Sequence, residues 1–164
     1  MMRLVKIGLV PMIFGATMLS AENVDKYFDE GFTADDIPQV RHVKRHKKHK
    51  VVVHVDSTDP KVQNLALNNV LNMRKAFGDK RVKIEVVANG PGIVMLLAES
   101  EVYDRILEMA QIKGIRFSAC NNSLNAYRRK HGTEPELIDH VKVVPSGAAR
   151  IIELEERHFG YFRP

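Results

Sequence analysis

One cysteine stands in this chain, Cys120, and its neighbours make it the first candidate for chemistry. Ile115 to Ala119 is an apolar run of strand length, and Asn121-Asn122-Ser123 follows the thiol at once. Asn122 or Ser123 can cap a helix running from about Leu124 to His131. A thiol between a strand end and a helix start faces free N–H groups and the positive end of the helix dipole. Both favour thiolate over thiol. A thiolate attacks sulfur or carbonyl centres. The competing reading is a small buried residue that packs the strand end.

The other signals are weaker. Asn89-Gly90-Pro91-Gly92 has glycines that would let backbone approach an anion, but it lacks a P-loop or a full dinucleotide fingerprint. The expectation is that Asn89 and Gly90 wall the Cys120 pocket, with Asn121, Asn122 and Ser123 beside the thiol. His54 could hydrogen-bond the thiolate if its strand neighbours that of Cys120. His42, His46 and His49 are spaced for one helical face, yet no carboxylate or thiolate joins them and cations surround them. No metal site and no cofactor is therefore expected. Ser/His/Asp, paired-carboxylate and Cys-x-x-Cys patterns are missing, so hydrolase and thioredoxin readings lack support.

Those residues need a scaffold, and the rhythm of the chain supplies one. Val51–Val55, Val82–Ala88, Ile115–Ala119 and Val141–Val144 read as strands, with Gly160–Pro164 as a fifth. Between them, Lys61–Phe77 repeats Val62, Ala66, Val70, Met73 and Phe77 on one helical face, and Ser100–Ile112 does the same behind a Ser100 cap. Ile93–Ala98 begins a short helix, and Ser146 caps a last one reaching about Phe159. Strands and helices in alternation imply a three-layer α/β sandwich. It would hold a mostly parallel sheet of about five strands, with helices on both faces. Ligands of such sheets sit beyond the carboxyl ends of the strands.

The chain has 164 residues and a formal net charge of +5. That length suits one domain. The charge is unevenly spread. Glu22, Asp25, Asp29, Glu30, Asp35 and Asp36 oppose only Lys26, and then Arg41, Lys44, Arg45, Lys47, Lys48 and Lys50 form a basic run. Residues 22–49 thus read as a charged arm and 50–164 as the folded domain. The basic run has no interleaved aromatics for base stacking, so nucleic acid is not expected as a partner. Residues 1–21 read as a secretory signal: Arg3 and Lys6 lead an apolar stretch, and Ser20-Ala21 ends it. A periplasmic or secreted location follows, with membrane contact only through an uncleaved signal. An unpaired cysteine in that setting points to a reactive thiol or an intermolecular bond.

Five segments together resemble the DsrE/DsrF-like family. They are Val51–Val55, Val86–Ile93, Gly114–Leu124 with its strand-Cys-x-Asn-Ser pattern, Val143–Gly147, and Phe159–Pro164 with its Gly-Tyr-x-x-Pro pattern. The resemblance spans residues 50–164. It implies a parallel three-layer fold and homo-oligomers, often trimers or hexamers. For some members it implies sulfur carried as a persulfide on a cysteine, here Cys120, and handed to a thiol-bearing acceptor protein. The relay members work in the cytoplasm, from which the signal-like residues here depart. The alternative function is a non-catalytic, oligomeric ligand- or partner-binding module.

Overall fold

The computed structural model describes residues 48–164. Five strands form one sheet: β1 (His49–Val55), β2 (Val82–Ala88), β3 (Ile115–Cys120), β4 (Lys142–Val144) and β5 (Gly160–Phe162). Their order is β4-β3-β2-β1-β5, and every neighbouring pair is parallel. Helices α1 (Pro60–Phe77), α2 (Tyr103–Ala110), α3 (Asn121–His131) and α4 (Gly147–Glu156) connect them, with a 3-10 segment over Gly90–Leu96. The three-layer parallel architecture read from the sequence is the one found.

Local chemistry sets the helix ends. Asp59 caps α1, its Oδ1 accepting the Lys61 N–H at 2.8 Å, with Pro60 at the first helical position. Gly78 closes that helix at φ +89°. Three helix starts differ from expectation, and the last helix ends at Glu156 rather than near Phe159. Ser100 closes a turn onto the Val102 N–H at 3.3 Å, and α2 starts only at Tyr103. The segment after Asn89 coils as 3-10 from Gly90 onward. Most importantly, α3 begins at Asn121 because Cys120 itself is the N-cap. Asn122 and Ser123 lie inside the first turn rather than capping it.

The two sheet faces are covered unequally. Val53, Val55, Val86, Ala88, Phe117 and Ala119 pack against Leu67, Val70, Leu96, Ile106 and Leu124, which come from α1, the 3-10 segment, α2 and α3. The opposite face has only α4, whose Ile151 and Leu154 meet Val52 and Val87. The reason is topological. The chain steps β1 to β4 in one direction along the sheet, then reverses over it to reach β5. Right-handed crossovers put the reversing helix on the other side.

A buried ionic group anchors that lone helix. Glu85, 4% exposed, lies in the mostly apolar strand β2. Its carboxylate accepts the Ser118 hydroxyl at 2.8 Å and two guanidinium bonds from Arg150, at 2.7 Å from Nε and 2.9 Å from Nη2. Arg116 adds a cation at 3.8 Å. Burial alone would raise the Glu85 carboxyl. The Arg150 and Ser118 hydrogen bonds and the two positive charges outweigh it and hold the group below the usual carboxylate range.

Glu85→Gln removes the buried counter-charge of Arg150, which keeps only the exposed Glu153 at 3.1 Å, and is expected to cost about 1–3 kcal/mol in urea unfolding. The folded carboxyl is depressed below 4.5, so its contribution is full above that pH and is lost as pH falls through the folded value. Unfolding free energy should therefore drop less steeply below pH 4.5 in Glu85→Gln than in the parent.

Candidate functional site at the carboxyl edge of the sheet

All five strands point one way, so their carboxyl ends share an edge. Cys120 ends β3 there, 4% exposed. Burial by itself pushes its thiol up. The Ser123 hydroxyl and the backbone N–H groups of Gly147, Ser123 and Asn122 pull the other way and prevail, leaving the thiol below its ordinary value of 9.0. These groups act as oriented dipoles, since the thiol makes no side-chain capping bond of normal geometry to α3. Two helix starts converge on one sulfur: Asn122 and Ser123 belong to α3, Gly147 to α4.

Each donor is itself held. The Ser123 oxygen accepts the Gly90 N–H at 2.7 Å, which leaves the hydroxyl hydrogen for the sulfur. Ser146 caps α4, its oxygen accepting the Ala149 N–H at 3.4 Å, so the Gly147 N–H stays available. Gly147 must be glycine for steric reasons. A Cβ there would stand 2.8 Å from the Cβ of Asn89 and 3.1 Å from that of Cys120. Gly92 is similarly constrained, since a Cβ would meet the Val55 carbonyl oxygen at 2.3 Å. That close approach presses the Asn89–Gly92 loop onto the end of β1.

His54 does not reach Cys120, because β2 lies between β1 and β3. Its Nε2 lies 2.9 Å from Asn89 Oδ1 and its Nδ1 lies 2.7 Å from the Tyr161 hydroxyl. The carbonyl oxygen of Asn89 only accepts, so Nε2 carries the hydrogen. In the neutral ring Nδ1 then accepts from Tyr161. Asn89 is the group that stands between the imidazole and the thiol. Arg163 pairs with Asp56 at 2.9 Å on the same edge.

Of the residues expected from sequence, Cys120, Ser123, Asn89, Gly90 and Asn122 come together, and Asn121 opens α3 beside them. His54 joins only through Asn89. Gly147 and Tyr161 were missed as site residues. For Tyr161 the missing signal was the register that sets it opposite Val52, two residues before His54 on one sheet face; for Gly147 it was the close approach of Asn89 and Cys120. His42 and His46 lie outside the described residues. His49 opens β1 and stacks on Phe77 with ring centroids 4.1 Å apart. Among the described residues no group of three or more His, Cys, Asp or Glu is placed to hold a metal. Among them, too, no helix is long and apolar enough to cross a membrane.

Fold and edge together define a parallel three-layer α/β protein with a thiol at a strand's carboxyl end. No family model matches the chain, and no curated protein matches it. Among solved structures it is similar to MTH1491 of Methanobacterium thermoautotrophicum, a protein of unknown function. The two share 32% identity at a TM-score of 0.64, over 71% of this chain and 100% of the other. The chain belongs to the same family as that protein.

Alkylation of Cys120 by iodoacetamide should show a rate midpoint below pH 9.0. Ser123→Ala removes the hydroxyl donor and should move that midpoint up. Gly147→Ala forces the start of α4 away from the sulfur. It should raise the midpoint too and cost about 1–3 kcal/mol through overpacking. Matched stopped-flow pH profiles and urea curves read both.

Proposed function

We propose that this protein carries sulfane sulfur on Cys120 as a persulfide and passes it to a partner thiol. The observation behind this reading is the convergence of the Ser123 hydroxyl and three backbone N–H groups on one sulfur, which favours the thiolate. The resemblance of residues 50–164 to the DsrE/DsrF-like family supports the same chemistry. In loading, the Cys120 thiolate attacks the sulfane sulfur of a polysulfide or thiosulfate. The donor S–S bond breaks, and its pair of electrons leaves with the departing thiolate or sulfite. In delivery, an acceptor thiolate attacks the outer sulfur, and Cys120 departs as thiolate again. The same four donors that stabilise the resting thiolate stabilise it as a leaving group. No net oxidant is needed.

The proposal includes export directed by residues 1–21, a homo-oligomer of three or six chains, and a thiol-bearing acceptor. A second reading rests on the burial of Cys120: a non-catalytic, oligomeric binding module in which the thiol only packs the strand end.

Intact-mass spectrometry after exposure to polysulfide separates the two readings. Sulfur carriage gives increments of whole sulfur atoms, reversed by reductant and absent from Cys120→Ser. Equal labile sulfur on parent and Cys120→Ser would sink it. A thiol that takes up iodoacetamide but no sulfur would favour the binding module.

A further inference from the structure

The opposite edge of the sheet carries a concavity, on the face that α4 alone covers. It measures about 360 Å³ and lies against the amino-terminal halves of β2 and β3. Its charged lining is Lys83, Glu85, Lys113, Arg116, Arg150 and Arg157. The single acid, Glu85, is already engaged by Arg150 and Ser118. The cations therefore exceed what the protein's own acids in the cleft neutralise.

Lys83, Lys113, Arg116 and Arg157 are exposed cations that line one cleft. Lys50 and Lys83 stand directly opposite each other in the β1–β2 register, a like-charge placement that destabilises a sheet. Lys50 is diverted: its Nζ donates to the Arg157 carbonyl at 3.0 Å, a cation on a helix C-terminus. Lys83, Lys113 and Arg157 have no carboxylate partner among the described residues. Arg116 is 57% exposed and only distantly shares Glu85, at 3.8 Å. Phe159, half-buried, gives the cleft an apolar side, with the fully buried Leu154 beneath it. A volume of this size is at the small end of ligand pockets.

We infer that this cleft binds a small diphosphate-bearing molecule. Adjacent anionic groups would lie among Lys83, Lys113, Arg116 and Arg157, and any organic body would rest on Phe159. Arg116 to Cys120 spans four residues of strand, about 13 Å. The site is thus separate from the thiol and stands or falls independently of sulfur carriage.

The test is calorimetric titration of the full chain with inorganic pyrophosphate and, separately, a nucleoside diphosphate at low ionic strength. Saturable binding of either is expected, tighter for the nucleoside diphosphate if the apolar side is used, and weaker as salt is raised. Lys83→Gln with Lys113→Gln should weaken it about tenfold or more, the scale of losing charge-assisted hydrogen bonds. Arg129→Gln with Lys130→Gln, which removes the same charge from exposed positions on α3, should leave it unchanged, and Cys120 alkylation should be the same in all. No saturable binding of either probe, or an equal loss in both double variants, would overturn the site.

Discussion

The contact between Glu85 and Arg150 governs more of this molecule than its size suggests. One helix covers one whole face of the sheet, and it meets the sheet through few apolar side chains: Ile151 and Leu154 on Val52 and Val87. A bidentate, buried ion pair sets its height and rotation in a way that aliphatic contacts alone do not. Arg150 lies three residues after Gly147, about one helical turn. To seat the guanidinium on Glu85 is therefore to seat the Gly147 N–H over Cys120. Ion pairs of this kind are poor sources of net stability when compared with a well-packed apolar substitute. Here the pair's importance is positional.

The asymmetry of the sandwich follows from the strand order. Three helices and the 3-10 segment bury one face completely, and that face is plain core. The single reversing connection leaves the other face with polar and charged groups set among its strands: Glu85, Ser118, His54 and, at the far edge, Cys120. The thiol edge and the cationic cleft described above border the two ends of the same helix. One end presents backbone N–H groups to the thiol; at the other, Lys50 occupies the Arg157 carbonyl and offsets the negative end of the helix.

Much of this was legible in the residues. β-branched runs and three-to-four-residue repeats marked four strands and the longer helices, because burial of one stripe leaves a pattern that sequence preserves. Cys120 was legible for the same local reason, as the last residue of such a run. The helix start was not: Asn121, Asn122 and Ser123 are all good caps and poor helix formers, so their types argued for a later start than the one tertiary packing selects. Strand adjacency was not legible either. Val51–Val55 carries no mark of which strand lies beside it, and His54 was therefore aimed at the thiol when Asn89 intervenes. Glu85 went unremarked in the sequence, because its partner is 65 residues away and no local pattern connects them.

The two helix starts that meet at Cys120 have a consequence for access. The same approach of α4 that buries the sulfur also supplies one of the donors that make it acidic. A fluctuation that lifts α4 takes away one donor, the Gly147 N–H, and at the same time relieves the burial that opposes ionisation. The Ser123 hydroxyl and the two N–H groups of α3 stay with the sulfur, because they belong to the helix that Cys120 itself starts. Entry to the thiol and activation of the thiol are thus assigned largely to different helices: α4 is the cover, and α3 carries most of the donors.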